Sequence, residues 1–248
     1  MKKLRVSIAN YSDKQLNYLN KVIDEYRSYK NYEVDINIHS TILIGRNDVK
    51  TTLHDASGKM VYFHRQEFID CRNDYDLYLY SENDMLIKED TMDTFVKYSK
   101  ILPIDHALSF IRYEKINNEG EMYFPDLWPH VGHVKSPWYV INETPYFILT
   151  NPHQCYWLLT KESLNHSIDN TNFLINGDPG TETASTGVYE GWPHGGANGV
   201  IKRVWTLNKD DLMKCFVHHL PNWHCIHPTI SKTLASFSVL EKSVNLIS

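Results

Sequence analysis

Two acidic residues stand one apart at Glu82-Asn83-Asp84. Carboxylates at that spacing can converge on one divalent cation, and an all-oxygen donor set selects a hard ion, Mn²⁺ or Mg²⁺. An ion held in this way can bridge the phosphates of a nucleotide. The triplet alone reads more readily as an ordinary turn, where Asp and Asn are common. Its position adds to the argument. It closes the run Tyr75-Asp76-Leu77-Tyr78-Leu79-Tyr80, mostly leucine on one parity and aromatic on the other, which predicts a strand buried on both faces. In open α/β sheets, ligands gather at the carboxyl ends of strands.

The 13 histidines raise a different metal chemistry. Cys215-x-x-His218-His219 followed by His224-Cys225-x-His227 supplies enough soft and borderline donors for zinc. The spacings fit no familiar zinc knuckle, and Leu220-Pro221-Asn222-Trp223 interrupts them, so histidines satisfied in a polar loop are the plainer expectation. Trp128, Trp138, Trp157, Trp192 and Trp223 cluster in the second half, where aromatic faces suit sugar rings, although most such rings belong to a core.

The elements that must position these groups follow from the apolar pattern. Leu4-Arg5-Val6-Ser7-Ile8 alternates as a first strand ending at Ala9-Asn10-Tyr11. Ser12 or Asp13 can cap a helix reaching about Arg27, with Leu16, Leu19, Val22, Ile23 and Tyr26 on one face. Val34, Ile36 and Ile38 mark a second strand, and strand–helix–strand at this spacing argues for a parallel sheet. A helix is expected near Arg65–Cys71 and another over Lys88–Lys100, stopped before Pro103. Beyond residue 105, short strands are expected at Ala107–Tyr113, Tyr139–Ile141, Tyr146–Leu149 and Arg203–Leu207. Short helices are expected at Tyr156–Leu164 and over 231–245, with a Gly/Thr/Ser-rich loop at 176–199.

Composition narrows the classes of function. With 25 basic and 30 acidic residues the formal net charge is -5, which gives no general attraction to nucleic acid or anionic lipid. A phosphate-bearing ligand would need a metal or a few arginines. No stretch approaches the roughly 18 unbroken apolar residues of a transmembrane segment. Four scattered cysteines lack the density of a disulfide scaffold, and a reducing, cytoplasmic setting is expected.

Three islands carry a family resemblance: His64-Arg65-Gln66-Glu67-Phe68 with Asn73 through Ile87; Asn151-Pro152-His153-Gln154-Cys155-Tyr156-Trp157-Leu158-Leu159-Thr160; and Phe216-Val217-His218-His219-Leu220-Pro221-Asn222. In this order they resemble GT-A-type glycosyltransferases, most closely a loosely characterised group in plants, algae and large DNA viruses. The resemblance implies one α/β domain of GT-A type, a mostly parallel central sheet flanked by helices. Its Rossmann-like nucleotide half would span about 1–104 and its acceptor half about 105–248.

It also implies roles. Asp84 would ligate Mn²⁺ or Mg²⁺ on a nucleoside diphosphate sugar, with Asn83 in the same nucleotide site. Glu82 replaces the commoner Asp, and its longer arm would reach the ribose or a metal-bound water as readily as the ion. A histidine from the pair His218-His219 would complete the coordination; neighbours in an extended segment face opposite ways, and His219 is preferred. Asn10 and Tyr11 would receive the base or ribose, and Arg65, ahead of Lys202 and Arg203, would meet the diphosphate. Glu182, within Gly180-Thr181-Glu182-Thr183-Ala184-Ser185, is the candidate base for inverting transfer to a carbohydrate or glycan acceptor, with Asp178 and Glu190 as rivals.

Two other classes remain in play. A metal-dependent nucleotidyltransferase or hydrolase could use the same triplet, although Ala9-Asn10-Tyr11-Ser12-Asp13 lacks the Gly-rich, basic signature usual for nucleotidyltransferases. A non-catalytic carbohydrate-binding protein would use the aromatic second half instead.

Overall fold

A computed structural model of the protein describes residues 1–55, 60–116, 120–126, 139–147, 155–171, 173–174, 200–226, 235–236 and 240. Its contacts divide the chain into two compact units: Met1–Met85, Pro103–Asp105 and His153–Lys202 in the first, and Leu86–Leu102, His106–Pro152 and Arg203–Ser248 in the second. Both are mixed α/β.

The first unit is built on four parallel strands, β1 (Lys2–Asn10), β2 (Tyr32–Ser40), β3 (Lys50–Leu53) and β4 (Leu77–Glu82). A fifth strand, Tyr156–Thr160, runs antiparallel to β4 and gives the order (156–160)-β4-β1-β2-β3. The register places Asn10 opposite Ser40 and Ala9 opposite Glu82, so three strand ends lie side by side. Leu4, Val6 and Ile8 are fully buried, as are Tyr78, Leu79 and Tyr80 on β4, the burial expected of a sheet covered on both faces.

Two helices connect these strands. The Ser12 hydroxyl accepts from Lys14 N–H and opens a short 3₁₀ turn that leads into α1 (Leu16–Arg27), whose Leu19, Val22, Ile23 and Tyr26 are buried. α2 (Met60–Asp70) covers the opposite side: His64 stacks on Tyr80 at 4.0 Å, and Phe68 meets Tyr78 edge-on. The expected βαβ start and the mostly parallel sheet flanked by helices are both present.

Several boundaries differ. α2 begins at Met60, ahead of the expected Arg65, and β4 starts at Leu77 rather than Tyr75 but runs on through Glu82. At the entry to β4, Asp76 meets Lys3 twice: its N–H donates to Lys3 O (2.9 Å), and its carboxylate accepts from Lys3 N–H (2.8 Å). The helix expected over Tyr156–Leu164 is a strand, Tyr156–Thr160, followed by a helix at Lys161–Asn170. A short apolar run does not distinguish buried strand from buried helix. Here pairing with β4 decides it, and Thr160 caps the helix that follows by accepting from Ser163 N–H.

In the second unit, Ile111–Lys115 pairs parallel with Phe216–His219 and antiparallel with Met122–Phe124. Thr144–Phe147 forms a hairpin with Tyr139–Ile141 through Asn142 and Glu143, both at positive φ (49° and 65°), the backbone of a tight two-residue turn. Ile111, Phe124, Phe147, Trp205, Leu212 and Phe216 pack into one apolar cluster. α3 (Glu89–Ser99) closely matches the helix expected over 88–100. The expected single strand over 107–113 is two, His106–Leu108 and Ile111–Lys115. Where a helix over 231–245 was expected, Ala235–Ser236 instead pairs with Tyr123–Phe124. The 176–199 loop lies outside the described residues. Among the described residues no helix is long and apolar enough to cross a membrane, and all four cysteines are free thiols.

Candidate active site

The carboxyl ends of β1, β2 and β4 form a polar edge in the first unit. Asn83 Nδ2 donates to Asn10 Oδ1 (2.6 Å), and Asn10 Nδ2 donates to Ser40 Oγ (2.9 Å), tying three strand ends together through buried side chains. The backbone is held as well: Asn83 N–H donates to Ala9 O at 3.1 Å and Glu82 N–H to Cys155 O at 3.0 Å. Asp84 is only 7% exposed, and Gln15 Nε2 donates to its Oδ2 at 3.2 Å. Tyr11 is half-buried here. Burial, reinforced by the charges of Glu82 and Asp84, pushes its phenol well above the ordinary range, so it stays a neutral hydrogen-bonding group.

Asn10, Tyr11, Glu82, Asn83 and Asp84 are thus gathered at one strand edge. The donors are carboxylate and amide oxygens, a set that suits a hard dication rather than a soft one.

Arg65 lies inside α2 at 1% exposure, where its guanidinium donates to Phe173 O (2.9 Å) and lies over the Phe173 ring. Burial lowers it to about 10. Its upstream neighbour His64 accepts from Trp157 Nε1 at 3.2 Å, so this island of the sequence packs the core of the unit. Lys202 reaches Asp105 at 3.4 Å, and Arg203 lies over Trp205. Glu182, Asp178 and Glu190 lie outside the described residues.

His218 and His219, in the second unit, face opposite ways. His218 stacks on Tyr113 at 4.8 Å and pairs through Nε2 with Asn222 Oδ1 at 3.0 Å. His219 turns to a buried carboxylate: its Nδ1 lies 2.5 Å from Glu114 Oε1, and His224 Nδ1 lies 2.7 Å from the same oxygen. The other oxygen, Oε2, accepts from Cys225 N–H at 2.9 Å. Burial would raise the Glu114 carboxyl, but these hydrogen bonds outweigh it and hold the group well below the carboxylate range.

A second carboxylate, the partly buried Glu67 of α2, lines a cleft of about 470 Å³ in the first unit. Glu67 accepts from Arg5 Nε (2.5 Å), Asn37 Nδ2 (2.7 Å) and Ser7 Oγ (3.2 Å), and meets His39 Nε2 at 2.6 Å. A carboxylate can only accept, so His39 carries its proton on Nε2. Its Nδ1 lies 2.8 Å from His54 Nε2, so one of those two facing nitrogens donates to the other. Neither carboxylate was foreseen as the hub of a network. The available signal was a charged residue on a buried-strand parity: Arg5 between Leu4 and Val6, and Glu114 in Ile111-Arg112-Tyr113-Glu114.

No protein-family model matches the sequence, and no curated protein matches it. Among solved structures the chain is similar to residues 1–349 of TarS from S. aureus, with 8% identity and a TM-score of 0.43 over 90% of this chain and 62% of that one. It is similar to the bifunctional IspDF from Campylobacter jejuni, with 11% identity and a TM-score of 0.38 over 86% of this chain and 54% of that one. A glycosyltransferase involved in the glycosylation of the major capsid of PBCV-1 shows 10% identity and a TM-score of 0.38, with 100% of both chains covered. The chain therefore spans less than two thirds of the first two. Likeness of this degree leaves the site and its substrate to be argued from the residues themselves.

Proposed function

We propose that the chain is a metal-dependent glycosyltransferase that takes its sugar from a nucleoside diphosphate donor and passes it to a carbohydrate acceptor. The observation that carries this reading is the strand edge of the first unit. There a nearly buried Asp84 and its neighbour Glu82 close β4 beside Asn10 and Tyr11 of β1. The same stretch carries the sequence resemblance to the metal-binding strand of GT-A-type enzymes.

Asp84 would hold Mn²⁺ or Mg²⁺, with Glu82 either on the ion or on the ribose. When bound, the ion supplies positive charge against the departing diphosphate. The remaining work belongs to the chain. Asn10, tied to Ser40 and Asn83, offers a fixed polar rim for the ribose or base. Tyr11, neutral and half-buried, offers a ring face to a base and a hydroxyl to a phosphate or sugar oxygen. Glu182 remains the candidate base, and inverting transfer is proposed with it. The diphosphate partner expected at Arg65 is not part of the proposal, because that guanidinium is engaged in the core.

Thermal shifts with UDP or GDP, with and without Mn²⁺, test the reading together with donor-sugar hydrolysis. A nucleotide shift that requires Mn²⁺ is expected. Asp84→Asn should lose it and lower turnover by roughly a hundredfold or more, since a metal supplies several kcal/mol of charge stabilisation. Undiminished turnover in excess chelator, or in a folded Asp84→Asn protein, would refute the metal role. A shift produced by free sugar alone would point to a binding protein.

A further inference from the structure

The second unit holds a cluster of one buried carboxylate and two imidazoles. Glu114, His219 and His224 each offer one ligand atom, and the three atoms lie within 4.8 Å of one another. They come from the strand Ile111–Lys115, the end of the strand Phe216–His219, and the short helix Trp223–Ile226. All belong to one compact unit.

We propose that Glu114, His219 and His224 of the second unit bind a borderline first-row dication, Zn²⁺ by preference.

The charge balance favours a cation. Glu114 is fully buried, and a buried carboxylate needs a positive partner as well as hydrogen bonds. Two neutral imidazoles and one backbone N–H supply hydrogen bonds but no charge. Either an imidazolium or a metal must complete the set.

The geometry favours the metal. Both imidazoles approach the same oxygen through the same ring nitrogen, at 2.5 and 2.7 Å. Tetrahedral zinc with bonds of about 2.0–2.2 Å needs its donors roughly 3.3 Å apart. The three ligand atoms already lie within 4.8 Å of one another, and side-chain rotation must open the two short contacts to that spacing. Two imidazoles and one carboxylate also form a recognised zinc donor set with one position left for water or another ligand. Mn²⁺ and Mg²⁺ would favour an all-oxygen set such as the strand edge at Asp84.

The cluster also explains a local fold. Asn222 sits at positive φ (51°), and its N–H donates to His219 O at 3.2 Å. That turn doubles the chain back, so that His224 returns to the carboxylate already met by His219. An ion there would clamp the last turn of the strand, the short helix and the neighbouring strand at one point.

The full-length protein, stripped with chelator and dialysed, is titrated with Co²⁺ and then back-titrated with Zn²⁺. One equivalent of cobalt with the intense visible bands of a four-coordinate site is expected, bleached by zinc. His224→Ala should weaken cobalt binding by more than roughly tenfold, whereas Asp84→Asn should leave the bands intact. If His224→Ala folds poorly, His224→Gln, which keeps a hydrogen-bond donor for Glu114, gives the same reading. Absence of the bands in natively folded wild type, or their survival in both His224 variants, overturns the proposal. Loss of the bands in Asp84→Asn but not in the His224 variants would place the cobalt at the strand edge instead.

Discussion

Removing the Glu67 carboxylate should be among the most damaging single changes in the first unit. Four donors converge on it: Arg5, Asn37, Ser7 and His39. The Arg5 and Glu67 side chains are only 13% and 12% exposed, so water screens the pair little. Glu67→Ala leaves a guanidinium in that environment without its counter-charge, which costs about 3–5 kcal/mol when a buried pair loses one member. The adjoining cleft admits some water to the orphaned donors, which keeps the figure within that range rather than above it. For a chain of this size each kcal/mol moves the melting point by roughly 2–4 °C, hence a loss of about 6–20 °C. Glu67→Gln keeps the volume and one acceptor but loses the charge, and about 1–3 kcal/mol is expected.

The pH dependence has a definite sign. Burial pushes the Glu67 carboxyl up, but His39, Arg5 and Asn37 outweigh it, so the group titrates below its ordinary 4.5 in the folded state. A lowered folded value means the unfolded chain binds the proton more readily. The contribution is therefore complete above the unfolded value and fades as pH falls through the folded one. Urea unfolding followed by tryptophan fluorescence, run from neutral pH down to about pH 3, measures it. The gap between wild type and Glu67→Gln should be full at neutral pH and close on acidification. A Glu67→Ala loss below about 1 kcal/mol at neutral pH, or a gap unchanged by acid, would refute this reasoning.

Two further substitutions probe the units separately. Asn83→Ala strips Asn10 Oδ1 of a buried donor and should cost about 1–3 kcal/mol in urea unfolding, with nucleotide binding weakened more than fold stability. In the second unit, Arg112 grips Asp126 through two hydrogen bonds of 3.0 and 2.7 Å, both side chains being under a tenth exposed. Asp126→Ala should cost about 3–5 kcal/mol in the same assay, and Arg112→Met combined with Asp126→Leu should recover most of it.

What the sequence disclosed follows the range of the interactions involved. β1, β2 and the first helix are local patterns, since the alternation Leu4-Val6-Ile8 and the stripe Leu19-Val22-Ile23-Tyr26 are set by period alone. The strand edge was legible for the same reason: Asn10 and Glu82 close strands whose parallel pairing follows from the βαβ spacing. Tyr156–Thr160 was not, because only pairing with β4 makes that apolar run a strand. The two carboxylate hubs were hidden by distance along the chain. Arg5 and Glu67 are 62 residues apart, and Glu114 and His219 are 105. An arginine upstream of an acidic strand suggests a phosphate partner, but a guanidinium can equally satisfy a buried carbonyl, as it does at Phe173.

The strand edge owes its suitability for chemistry to backbone more than to side chains. β4 is clamped at its last residues from both sides: Glu82 N–H bonds the strand Tyr156–Thr160 at its entry, through Cys155 O, and Asn83 N–H bonds β1 through Ala9 O. The side chains of Asn83, Asn10 and Ser40 then tie β4 to β1 and β1 to β2 across the edge. The middle residue of the triplet thus ties the edge together, and its two acidic neighbours stand on a fixed support. Carboxylates held in this way lose little freedom on meeting an ion, and precision of this kind favours sites on strands over sites on loops. Asn83 therefore separates the two contributions: its loss should loosen the presentation of Glu82 and Asp84 while leaving both carboxylates in place.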